Sequence, residues 1–229
     1  MEDFELGNTP SMLQTQAYVY LKKKIFNDEM QQGVFYSETK LSKELGISRT
    51  PLRQALHRLS QDGYLQIAPG RGFILRKLTG EDLRETIETR CAIEGFCTYQ
   101  LVRTAGIPLR HFLLHVEPWL ADMQKAAEEN DVDAFAKADH RFHWELVKSA
   151  NNREFNRIFQ RLMYFIHLTT KESLHLPGRL ASTMVEHEKY ITGLKKHDVN
   201  GANEILLQHL LKPIELLGGQ FPKEEDIPW

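Results

Sequence analysis

Cysteine is scarce in this chain, with two in 229 residues, and Cys91 and Cys97 are spaced for neither a disulfide framework nor a CxxC metal or redox motif. Long apolar runs are missing as well. No stretch approaches the roughly 18 residues needed to span a bilayer, which excludes membrane insertion. The first residues, MEDFELGNTP, are acidic and show no basic segment leading into an apolar one, so no secretory signal is expected and the cytoplasm is the expected compartment. Strong compositional bias is absent too: 41% hydrophobic and 26% charged residues fit neither a disordered chain nor a collagen-like one.

What is present is an asymmetry hidden inside a net charge of −2. Residues 1–78 carry 11 Lys and Arg against 8 Asp and Glu, whereas residues 79–229 carry 18 against 23. Of the ten histidines only His57 falls in the first part. A basic module joined to an acidic, histidine-rich one suggests polyanion binding at one end and different chemistry at the other. The expected organisation is an N-terminal arm over 1–11, a DNA-binding module over 12–78, a helical module over 79–217 and a tail over 218–229.

In the first module, Ala17, Leu21 and Ile25 recur at helical spacing within 12–29. Ser37 is placed to cap a short helix through Leu45, which Gly46 ends. Ser48 is placed to cap a second helix to about Gln61, with Pro51 tolerated in its first turn. Leu52, Leu56 and Leu59 bury one side of that helix and leave Arg49, Thr50 and Arg53 on another. YLQIA and FILRK then read as two short strands joined by Pro69-Gly70-Arg71-Gly72. The pattern is a helix-turn-helix followed by a wing. Two guanidiniums on the first turns of a recognition helix suit bidentate bonding to guanine in the major groove. Thr50 suits a phosphate at the positive helix end, and Gly70 and Arg71 would approach the DNA backbone or minor groove.

From about Thr15 to Lys77, ELGISRTPLRQALHRLSQDGYL followed by PGRGF closely resembles the winged helix-turn-helix of the GntR family of bacterial transcription regulators. The resemblance implies that Arg49 and Arg53 are the main base readers. Thr39 stands where family members often carry a charged residue, which leaves Lys40 or Lys43 as the substitute phosphate contact. Two half-sites on an operator need two recognition helices, so a homodimer on double-stranded DNA is expected.

The second module opens with Thr79, an N-cap with Asp82 three residues on. Helices are expected over about 80–104, 108–128, 131–149, 152–173, 178–196 and 200–217. Strand-like alternation is absent, so the fold class is mainly α: a winged helix-turn-helix with a small β-wing, then an all-α bundle. Helical spacing puts Asp139 and His143 on the apolar stripe with Phe135, Phe142 and Leu146. His187 and His209 also fall on inward faces, at matching distances either side of a tight connection near Asp198, so two antiparallel helices would hold them at one height. Each imidazole alone is as readily a hydrogen-bonded core residue. Together, three imidazoles and one carboxylate make a ligand set for a divalent transition metal, zinc first, with nickel, manganese or iron as alternatives. His111, His115, His140, His167, His175 and His197 read as surface or packing residues.

RCAIEG, DHRFH with Asn152 shortly after, VEHEKY and ILLQHL make this module similar to the FCD effector domain of the FadR-type branch, over about Leu78 to Leu217. The resemblance implies metal ligation by Asp139, His143, His187 and His209, and a small organic acid as effector. Arg90 and Glu94 lie in the middle of an apolar stripe. They are read either as a buried ion pair or as an effector site, in which Arg90 receives the carboxylate of an anion that also chelates the metal. The leading reading is a ligand-responsive transcription regulator. A metal-dependent hydrolase with an accessory DNA-binding region competes with it, but Glu186 and Glu188 are read as pointing away from the ligand face and no nucleophile constellation is present. A regulator with a purely structural metal is the third reading.

Overall fold

The computed structural model describes residues 9–104 and 106–222. The chain divides between Lys77 and Leu78 into two compact units. Residues 1–8 of the arm expected over 1–11 lie outside the described residues, and Pro10 and Ser11 already belong to the first helix; residues 223–229 of the expected tail also lie outside them.

The first unit opens with α1 (Pro10–Phe26), which buries Ala17, Leu21 and Ile25. It stops three residues before the 12–29 pattern predicts because Asp28 takes a left-handed backbone, φ 54°. In α2 (Glu38–Glu44) the Ser37 hydroxyl accepts from the Lys40 amide, as expected of a cap. In α3 (Arg49–Gln61) Ser48 occupies the cap position but its side chain makes no capping bond, which departs from expectation. Pro51 stands in the first turn, where its missing N–H removes no intrahelical bond.

Three strands complete the unit: β1 (Phe35–Tyr36), β2 (Leu65–Ala68) and β3 (Gly72–Leu75), in the antiparallel order β1-β3-β2. The second and third are the wing. Periodicity misses β1 because two residues carry no alternation to read. Tyr36 pairs with Phe73 and their rings stack, centroids 5.6 Å apart. A Cβ on Gly72 would meet the Tyr36 carbonyl oxygen, and Gly72 also has φ 102°, so β1 can close on β3 only over glycine.

The second unit is a bundle of α4 (Gly80–Arg103), α5 (Ile107–Glu129), α6 (Val132–Ser149), α7 (Arg153–Leu174), α8 (Arg179–Lys195) and α9 (Val199–Leu217). Thr79 and Asp82 form a full capping box that starts α4. The α5 helix packs on α6, α6 on α7, and α4 and α8 both pack on α9. Pro118 and Pro213 lie inside α5 and α9 without ending either helix. Val116, Met123, Phe135, Phe142, Leu146 and Leu210 are fully or almost fully buried in one contiguous core. Removing a side chain such as Phe142 from it would cost about 3–5 kcal/mol. Part of the tail folds back: the Gly80 amide donates to the Pro222 carbonyl, 3.1 Å, and Phe221 packs near Leu83 and Ile87. Among the described residues no helix is long and apolar enough to cross a membrane.

Candidate DNA interface and metal centre

In the first unit α3 and the wing form a groove of about 520 Å³ lined by Thr39, Arg49, Arg53, His57, Gly70 and Arg71, among others. Arg49, Thr50, Arg53, Gly70 and Arg71 are all exposed. The Arg53 Nε donates to Glu38 Oε2 at 2.7 Å, yet the side chain remains 60% exposed. That ion pair orients Arg53 toward the groove at little energetic cost to exchange. Arg71 stacks its guanidinium on Phe35, 3.7 Å from the ring centroid, which stiffens the wing tip. Thr50, on the first turn of α3, does not line the groove and is exposed, and the same holds for Lys40 and Lys43.

In the second unit, helical spacing carries Asp139 and His143 inward from α6, His187 from α8 and His209 from α9. One ligand atom from each of the four lies within 4.8 Å of all the others. His187 Nε2 stands 3.2 Å from Asp139 Oδ1, and His143 Nε2 stands 3.6 Å from the same oxygen. His143 Nε2 and His209 Nε2 are 3.2 Å apart. Ligands bound about 2.0–2.2 Å from one ion sit roughly 3.0–3.6 Å apart along a tetrahedral or octahedral edge. Asp139 Oδ1 and His187 Nε2 are buried without any hydrogen-bond partner, which is costly in a closed core. The residues present therefore fit a metal ion.

Each imidazole is held from behind. His143 Nδ1 donates to Glu94 Oε2 at 2.5 Å, His187 Nδ1 to the Thr183 carbonyl at 2.9 Å, and His209 Nδ1 to Glu186 Oε2 at 2.7 Å. These bonds place the proton on Nδ1 and turn every Nε2 lone pair to the common centre, which is how protein ligands are oriented around a metal. The two carboxylates are anchored in turn, Glu94 by Arg90 Nε at 2.7 Å and Glu186 by both Nη atoms of Arg179. Glu186 does leave the face of its neighbour His187, as its place on α8 predicts, but it crosses to α9 and orients His209. Sequence periodicity assigns a face within one helix and carries no signal for such a bond between helices.

The electrostatics favour a cation. Burial works to raise Asp139, but His143 and His187 outweigh it and hold the carboxyl well below its usual range. Burial likewise works to lower His143, and Glu94 and Asp139 overcome it and raise it. Burial, with His187 and His143 close by, pushes His209 down to about 4, leaving a neutral imidazole with a free lone pair. Glu186 is brought down to about 2, its burial overcome by His209 and Arg179.

The first of the two readings of Arg90, the buried ion pair, is what the structure contains. Arg90 pairs with Glu94, and its Nη2 is buried with no acceptor. It lines a cavity of about 20 Å³ together with Asp139, Thr183, Arg179 and His209. Of the histidines read as surface or packing residues, His111, His115, His175 and His197 are exposed and His140 and His167 are buried.

Comparison with known proteins matches a family model to each unit. The family model for bacterial regulatory proteins of the gntR family matches residues 13–75, and the FCD domain model matches residues 85–212. An HTH-type transcriptional regulator of Bacillus subtilis, YdhC, is 28% identical over 91% of this chain and 92% of its own length. The HTH-type transcriptional repressor RspR of Escherichia coli is 26% identical over 89% of this chain and 88% of its own. Among solved structures, a GntR transcriptional regulator from Rhodococcus sp. RHA1 shares the fold with a TM-score of 0.78 at 19% identity, covering 91% of this chain and 99% of that one. The relatives are regulators and not enzymes, which sets the hydrolase reading aside. With a winged helix-turn-helix, a helical bundle and a buried Asp/His cluster in place, the chain belongs to the GntR family of DNA-binding transcription regulators, in the branch that carries an FCD domain.

Proposed function

We propose that the protein is a metal-loaded, ligand-responsive regulator that binds a near-palindromic operator as a homodimer in the cytoplasm and changes its affinity when a small organic acid enters the helical unit. In this reading Arg49 and Arg53 read bases in the major groove. Thr50 binds a phosphate, and Gly70 and Arg71 bring the wing to the backbone or minor groove. The unit boundaries follow the same division of labour, with residues 12–78 for DNA and 79–217 for the effector and the dimer.

Asp139, His143, His187 and His209 would hold one divalent ion, zinc first, with nickel, manganese or iron as alternatives. Bound there, the ion supplies a Lewis-acidic point for a carboxylate oxygen. Everything else comes from the chain. Glu94 and Glu186 fix the imidazoles, and Arg90 Nη2 donates to the effector's carboxylate while its Nε stays on Glu94. The observation that carries this reading is that Arg90, whose Nη2 is buried without an acceptor, lines the same small cavity as Asp139 and His209. At about 20 Å³ that cavity has room for little more than one water. An organic acid must therefore part the surrounding helices, and that opening gives it a differential affinity for two states of the regulator.

The test is a panel of small carboxylates and hydroxycarboxylates, scored by thermal stabilisation and by operator affinity. A member of the panel should raise the melting temperature and alter DNA binding. Chelation should abolish both effects, and Arg90→Ala should weaken both. A neutral or cationic ligand acting equally on metal-free protein would overturn the reading.

A further inference from the structure

The groove between α3 and the wing is basic with one exception. Arg49, Arg53 and Arg71 line it, and so does Glu38, the one carboxylate among its lining residues. A surface that meets phosphates gains from cations and loses from an anion. Glu38 stands in the first turn of α2, where an acid suits the positive end of a helix. That role needs neither burial nor a partner. Glu38 has both: only 17% of its side chain is exposed, and its Oε2 accepts from Arg53 Nε at 2.7 Å.

The bond joins α2 to α3 and engages one atom on each side. With Nε held, the two Nη groups of Arg53 remain at the far end of the guanidinium. That end presents the pair of N–H groups that spans guanine O6 and N7, so Arg53 reads a guanine without giving up Glu38. A side chain otherwise 60% exposed then arrives at DNA already ordered, with less rotamer freedom to lose. On the other side, Oε1 takes no part in the bond. A carboxylate oxygen only accepts, and on the base edges of the major groove only cytosine N4 and adenine N6 donate. Guanine O6 and N7 and thymine O4 present lone pairs and are repelled.

We infer that Glu38 sets operator specificity together with Arg53. Its Oε2 positions the guanidinium for end-on contact with a guanine, and its Oε1 admits cytosine or adenine beside that guanine and excludes guanine and thymine. This rests on Arg53 as a base reader in the proposed function and adds the residue that orients it and the neighbouring base that is read.

Sequence selection from a random DNA pool by the full-length protein tests it, with melting temperature as the control for folding. The wild-type consensus should contain a guanine flanked by a position that takes cytosine or adenine. Glu38→Gln keeps an acceptor for Arg53 Nε and adds an amide donor. The guanine preference should therefore remain, while discrimination against guanine and thymine at the flanking position falls by roughly tenfold. Glu38→Ala removes both oxygens and should weaken the guanine preference as well. Adding Glu38→Ala to Arg53→Ala should change the guanine position no further than Arg53→Ala alone, since the two side chains act there as one unit. A role confined to the helix end predicts lower melting temperatures for both Glu38 variants and an unchanged consensus, and that outcome would overturn the inference. A wild-type flanking position that takes all four bases would overturn the reading by Oε1. A wild type that enriches no sequence, or an Arg53→Ala chain that keeps the guanine, would instead overturn Arg53 as a base reader.

Discussion

The two units treat charge in opposite ways. In the DNA-binding unit Arg49, Arg53 and Arg71 stand exposed around an open groove, tethered at most by contacts that can be traded for phosphates and bases. In the helical unit Arg90, Glu94, Asp139 and His143 are buried, and their hydrogen bonds form chains that end on a shared centre. Exposed charge is screened and weak per contact, so DNA-binding units in general gain affinity by meeting many phosphates and specificity from a few base edges. Buried charge is costly unless every atom is satisfied. Among the buried atoms of the second unit without a hydrogen-bond partner, Asp139 Oδ1 and His187 Nε2 belong to the Asp/His cluster, and Arg90 Nη2, Arg179 Nε and Thr183 Oγ1 belong to residues that line the cavity beside it.

The largest expected effect lies in the buried unit. Elemental analysis of protein prepared without chelator should give close to one divalent metal per chain, and His187→Ala with His209→Ala should remove it. Equal metal in both proteins would show that the four residues are not the site. A graded form of the same experiment is Glu186→Gln, which keeps all four ligands and loosens only the support of His209. Metal affinity should fall by about 10- to 100-fold, as for other loosened ligand supports.

In the open unit the effect is smaller and confined to recognition. Arg53→Ala should cost about 1–3 kcal/mol of discrimination between operator and unrelated DNA. The melting temperature should hardly change, because the side chain is largely exposed. Sequence selection on genomic fragments measures the preference. An unchanged preference would remove Arg53 from the base readers, and the absence of any enriched sequence would remove specific binding.

The smallest effect separates the units by pH. In the metal-free fold burial first, then neighbouring charges, takes His140 down to about 3 and His209 to about 4. Both gain protons near 6.5 when the chain unfolds. The unfolded chain then binds more protons, so stability is lost as the pH falls from about 6.5 toward 4. His143 acts in the opposite sense: raised by Glu94 and Asp139, it contributes stability below 6.5 that is lost as the pH climbs through its folded value. Two imidazoles against one predict that chelated protein melts lower at pH 5 than at pH 7. A higher melting temperature at pH 5 would mean that the His143 ion pairs dominate.

Much of this was legible before any coordinates. Apolar spacing, Gly46 and the Thr79 cap place the helices to within a few residues, because helix periodicity and capping are local properties of the chain. The same spacing puts Asp139, His143, His187 and His209 on inward faces, since a face is set by 100° per residue and nothing more distant. Local rules stop at contacts between elements. They miss β1, two residues long and visible only through its pairing with β3. They read Glu186 as turned away from the site, when the approach of α9 makes it the support of His209.

The sequence by itself determined which segments are helices, which faces are apolar, and which family motifs the chain carries. All of that is written in intervals of three to seven residues. Only the tertiary structure decided that Glu94 serves Arg90 and His143 together, that Glu186 supports His209, and that Arg90, with one nitrogen left without an acceptor, lines a cavity with Asp139 and His209. Those pairings join residues up to 49 apart along the chain. They depend on how whole helices settle against one another, which packing of the full core determines and no local interval encodes.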